Sequence, residues 1–84
     1  MALQSFILTQ TPTMITNGTK AAFAQEIVGS GTRFAESSVS PDTSTTPYCT
    51  ILRNDLNIAK GFRLWAWTPT EATIKLNVIT SEYY

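Results

Sequence analysis

Residues 62–80, FRLWAWTPTEATIKLNVIT, constrain the fold more than any other stretch of the chain. Side chains of an extended strand point alternately to opposite faces. In the second half, Ala72, Ile74, Leu76 and Val78 therefore share one face, and Thr73, Lys75 and Asn77 share the other. That is the pattern of a half-buried strand. The first half is different: Phe62, Leu64 and Ala66 line one face, Arg63, Trp65 and Trp67 line the other, and neither is clearly polar. A strand of this kind needs cover on both sides. The turn at Pro69, Thr70 and Glu71 joins the two runs into an expected final hairpin.

Upstream, residues 3–10 read as a first strand with Phe6 and Leu8 on one face, broken at Pro12 because proline cannot donate to a central ladder. Residues 14–16 follow as a short edge segment, and Asn17-Gly18 is the dipeptide best suited to a tight reversal, since both positions tolerate positive φ. With Thr19 it also matches a glycosylation acceptor pattern, but no secretory signal accompanies it and the turn reading is preferred. Residues 19–28 contain good helix formers. Their period is nevertheless mixed, with Ala21, Phe23 and Ile27 on one strand face and Ala22, Ala24 and Val28 on the other. Asn-Gly before and Gly29-Ser30-Gly31 after favour a strand bounded by hairpin turns, with residues 32–37 as the next arm.

Residues 38–47, SVSPDTSTTP, form a polar loop. Residues 48–52 resume a strand with Tyr48, Thr50 and Leu52 on one face, residues 56–59 add a short strand with Leu56 and Ile58 inward, and Glu82-Tyr83-Tyr84 make an aromatic tail. About seven or eight short strands punctuated by turns predict an all-β fold, a small antiparallel β-sandwich or barrel. One domain accounts for residues 1–84, with 1–12 able to serve as an extended N-terminal arm.

A chain of 84 residues buries only about 60–65% of its unfolded surface, so its core is thin and association would help it. Six basic and six acidic residues, placed singly and summing to +0, give no stripe for phosphate neutralisation, and nucleic acid is not an expected partner. The apolar runs are too short to span a bilayer and no export signal is visible, so a soluble protein without a membrane partner is expected. Histidine is absent, and there is no Gly-rich phosphate loop, paired cysteine or pair of carboxylates at a useful spacing. Neither an enzyme nor a cofactor or metal is expected; the six carboxylates, Glu26 included, read as turn or surface groups. Cys49, the single cysteine, reads as a small buried hydrophobe, with intermolecular pairing or a reactive thiol as the alternatives.

Trp65 and Trp67 are the strongest positive signal, two residues apart on one strand face and about 7 Å between Cα atoms. Three readings stay open. One or both rings lie in the core, Trp67 serving as a plug beside Pro69; or Arg63, Trp65 and Trp67 bind a protein partner, Trp and Arg being common interface anchors; or the pair stacks on sugar rings, with Asn77 as the obvious polar donor.

The progression from ITNGTKAAFAQEIVGSGTRFAESSVSP through YCTILRNDLNIAKGFRLWAW to TEATIKLNVIT resembles a pattern among small tailed-bacteriophage virion proteins. The matching pieces are Phe34-Ala35 with Ser37, then Pro41, Leu52, Gly61, Leu64-Trp65-Ala66 and residues 72–78, across roughly residues 13–80. Trp67 departs from it, standing where the pattern tolerates a small or polar residue. The resemblance implies a non-enzymatic β-sandwich of the virion: a capsid decoration (cement) protein, or a tail or fibre accessory. It also implies a homo-oligomer, trimers included, that binds a major capsid or tail protein. Arg63, Trp65 and Trp67 would face that partner, with residues 38–47 and 1–10 as secondary contacts. A carbohydrate-binding module using Trp65 and Trp67, and a protein-interaction domain unrelated to viruses, are the alternatives.

Overall fold

Eight strands carry the fold in the computed structural model, which describes residues 2–51 and 53–81. They are β1 (Ala2–Leu8), β2 (Thr13–Met14), β3 (Ala21–Val28), β4 (Arg33–Glu36), β5 (Cys49–Thr50), β6 (Asp55–Ile58), β7 (Leu64–Trp67) and β8 (Ile74–Ser81). The helix formers of residues 19–28 thus yield to the strand alternative. Leu52 and the tail at 82–84, to which the sequence assigned a strand position and an aromatic end, lie outside the described residues.

The strands form two antiparallel sheets, sheet I in the order β1-β8-β3-β6 and sheet II in the order β2-β7-β4-β5. A 1-8-3-6 sheet facing a 2-7-4-5 sheet is the strand order of a jelly roll, two interlocked Greek keys. The all-β sandwich expectation therefore holds, and its topology corrects three expected hairpins. Among the described residues only β4 and β5 are both consecutive and paired. Asn17-Gly18 leads from sheet II to sheet I, Gly29-Ser30-Gly31 leads back, and the turn at Pro69 carries the chain from β7 to β8 in the opposite layer. Nor do residues 2–8 form a separate arm, because Ala2–Leu8 pair along their whole length with β8.

The core lies between the sheets. Leu8, Ala22, Ala24, Ile58, Ile74, Leu76 and Val78 come from sheet I, and Leu64 and Ala66 from sheet II, joined by Ile15 just past β2. The Ile74–Leu76–Val78 face is buried as its alternation requires, although Ala72 falls before the strand and is exposed. In β3 it is the small residues Ala22 and Ala24 that face the core, together with Glu26, while Phe23 and Ile27 turn outward. Small side chains there allow the facing layer to carry Phe34 and Leu64 at close range.

Gly29 marks the crossing from β3 to the layer of β4. Its φ is +85°, and a Cβ would sit 3.1 Å from Ile74 Cγ1 and 3.2 Å from the Thr73 carbonyl oxygen. Both the left-handed backbone and the tight approach exclude a side chain. Gly29→Ala should cost at least about 1 kcal/mol, read as a lowered urea midpoint at unchanged slope; an unaltered midpoint would show that the crossing tolerates a side chain.

Candidate functional site

Each of the three residues expected to meet a partner has a different environment. Arg63 is exposed, Trp65 is half-buried, and Trp67 is 2% exposed. Trp65 and Trp67 do share the outer face of sheet II, opposite the core-facing Leu64 and Ala66. The chain supplies most of the cover itself. Tyr48 meets the Trp67 ring edge-on, with centroids 6.0 Å apart and planes at 74°, and the Arg33 guanidinium lies 4.3 Å from the Tyr48 centroid. Arg33 is the cross-strand partner of Trp67, so β4, β5's approach and β7 converge on one stack. Edge-on ring pairs and an Arg over an aromatic face both exploit the negative π face and positive ring edge.

Trp65 pairs across the ladder with Ala35 and Met14, and its indole N–H donates to the Ser37 carbonyl at 3.0 Å. Ser37 N–H donates in turn to the Arg63 carbonyl at 3.0 Å. These bonds pin the start of the 37–48 connection over sheet II, and Pro41 within it is buried. Its turn is held by Asp42, whose carboxylate accepts from Ser44 Oγ at 2.7 Å and Ser44 N–H at 2.9 Å. Those two donors, the side chain first, hold the Asp42 carboxyl below the usual carboxylate range.

Trp67 is therefore removed from the expected partner face by burial, leaving Arg63 and the open part of Trp65. A sugar platform built on both rings loses its second ring for the same reason. Asn77, expected beside it, belongs to β8 of the other sheet and accepts a 2.6 Å hydrogen bond from Ser5 Oγ there. The alternation placed the two rings on one face correctly. It carried no information on the Tyr48 lid, which comes from the far end of a polar loop.

An apolar concavity lies elsewhere. At the β5–β6 margin the two sheets part into an apolar cleft of about 440 Å³, walled by Phe34 and Leu64 from sheet II, Leu56 and Ile58 from sheet I, and Phe62 and Cys49 at its mouth. Glu36 and Asn57 supply its polar rim. Phe62 is 49% exposed, and Cys49 is exposed rather than buried as the sequence suggested. Sequence reasoning assigned Phe62 and Leu64 to a common face but had no means of showing that this face runs out of the core into an opening. Such a lining can take up aliphatic or aromatic groups.

A second feature missed by sequence is Glu26, read as a surface group but only 7% exposed. Its carboxylate accepts from the Thr32 hydroxyl at 2.6 Å and the Thr32 N–H at 3.0 Å, while Thr32 itself is fully buried. Glu26 thus ties sheet I to the segment entering β4 across the Gly29–Gly31 crossing. Among the described residues no group of three or more His, Cys, Asp or Glu side chains is placed to hold a metal ion, and no helix is long and apolar enough to cross a membrane.

Set against known proteins, the chain matches no family model, no curated protein and no solved structure.

Proposed function

We propose that this protein is a non-enzymatic structural component of a bacteriophage virion, a capsid decoration protein that seats on the capsid lattice by taking an apolar segment of the capsid protein into the β5–β6 cleft. The same surfaces would serve a tail or fibre accessory. The open cleft carries this reading: a small domain with a thin core leaves Phe62 and the inner walls of its own sandwich accessible, a feature suited to being filled on assembly. The jelly-roll strand order supports it by analogy, since this architecture recurs in viral capsid and lectin domains, although fold alone does not assign function. The resemblance across residues 13–80 supplies the phage context. Arg63 and Trp65, near the cleft along the chain, remain secondary contacts.

The test is co-sedimentation of the purified protein with capsids assembled from the major capsid protein of the same genome. Wild type should saturate at a fixed ratio to the lattice. Phe62→Glu, at an exposed position where folding is retained by circular dichroism, should bind at least about tenfold more weakly, a loss of about 1.4 kcal/mol. Failure of wild type to sediment with capsids or with tails overturns the virion reading, and undiminished binding by Phe62→Glu overturns the role of the cleft. Specific binding to immobilised glycans in place of capsids would move the protein to the carbohydrate class.

A further inference from the structure

Each sheet has two margins, and four strands therefore present an unpaired backbone edge: β1 and β6 in sheet I, β2 and β5 in sheet II. Three of them are short or shielded. β2 and β5 are two residues long and lie just after Pro12 and Pro47, and β6 is four residues long, opens on the charged Asp55 and is followed by Lys60. Brevity, proline and charge are the devices by which proteins blunt edges against other strands. β1 has none of them. It runs seven residues, ALQSFIL, without proline, charge or a break in its register with β8. Its outward side chains Leu3 and Ile7 are 63% and 61% exposed.

We propose that two copies of this chain join edge to edge through β1, antiparallel about a two-fold axis at Ser5, merging their four-stranded sheets into one continuous eight-stranded sheet. The register follows from the strand's own sequence. Pairing about Ser5 sets Ala2 against Leu8, Leu3 against Ile7, Gln4 against Phe6 and Ser5 against its own copy, the one symmetric register that uses every residue from Ala2 to Leu8. Residues separated by an even number share both face and hydrogen-bonding direction in a strand, so each pair in this register matches outward backbone groups with outward backbone groups.

The side chains agree with the backbone. On the outer face of sheet I, Phe23 lies beside Ile79 and Ile79 beside Leu3, a row that ends at the open edge. The two-fold places Ile7 of the second copy next to Leu3, and Leu3 of the second copy next to Ile7, so both exposed aliphatic groups are covered by each other. Cross-strand apolar pairs of this kind stabilise antiparallel ladders. Ser5, whose hydroxyl donates to Asn77, is the small residue at the axis where two identical side chains must pass. The arrangement needs only a second copy and holds whether or not the protein belongs to a virion.

Sedimentation equilibrium over a concentration series should show a dimer, and Ile7→Lys should weaken it at least tenfold with an unchanged far-UV spectrum. Register is read by oxidative cross-linking in a Cys49→Ser background. Ser5→Cys should form a covalent dimer, because directly opposed Cβ atoms lie about 4.5–5.5 Å apart. Ile7→Cys alone should not, since it opposes Leu3 and stands about 13 Å from its own copy. A chain that stays monomeric up to about 1 mM, a trimer, or a dimer in which Ile7→Cys cross-links as readily as Ser5→Cys each overturns the proposal. Preferential pairing of β1 with a strand of another protein does so as well.

Discussion

Trp67→Ala should destabilise the protein by about 3–5 kcal/mol, the usual cost of truncating a buried aromatic side chain. The ring is 2% exposed, and its removal also strands Tyr48, which packs edge-on against it, and the Arg33 guanidinium that rests on Tyr48. A domain of 84 residues has a total stability of about 4–13 kcal/mol, so this one change removes a large share and can leave the chain mostly unfolded. Trp65→Ala is the control. That ring is half-buried and its indole N–H is bonded to the Ser37 carbonyl, so it should cost less than half as much. Urea midpoints of the two variants decide the matter. Equal losses would mean that both rings contribute alike to the fold and that Trp67 is not the covered member of the pair.

Glu26→Ala should cost about 3 kcal/mol, from two hydrogen bonds to a carboxylate at about 1.5 kcal/mol each. The loss is large because the donors have nowhere else to go: Thr32 is fully buried, and its N–H and hydroxyl both point at the removed carboxylate. Glu26→Gln keeps the shape and an acceptor oxygen, and should recover more than half of the loss. If alanine and glutamine are equally well tolerated, Glu26 is not the tie between the layers. A double variant with Thr32→Val should be less damaging than the sum of the two single changes, since the hydroxyl goes together with its acceptor and only the N–H of residue 32 is left unpaired.

How much of this was legible beforehand depends on whether the deciding contact was local. The buried face Ile74–Leu76–Val78, the inward Leu56 and Ile58 and the placement of Trp65 and Trp67 on one common face follow from a period of two and were readable. The partner of each strand was not. Asn17-Gly18 and Gly29-Ser30-Gly31 carry the same positive-φ chemistry whether the chain returns beside itself or passes to the opposite layer, as it does at both sites. In β3 both faces were apolar, so alternation alone named no inward one; it is the face of the smaller Ala22 and Ala24 that meets the opposite layer. Tyr48 over Trp67 and Glu26 on Thr32 bring together groups whose meeting no spacing rule anticipates.

The strand order has a consequence for how the protein is made. β8 lies between β1 and β3 and supplies Ile74, Leu76 and Val78 to the core, yet it is the last of the strands to leave the ribosome. Until about residue 81 has emerged, β1 lacks its partner strand and sheet I cannot close, so the apolar segments of β1 and β3 wait for β8. With nearly every ladder joining distant parts of the chain, the search for the native pairing is slow for so small a domain.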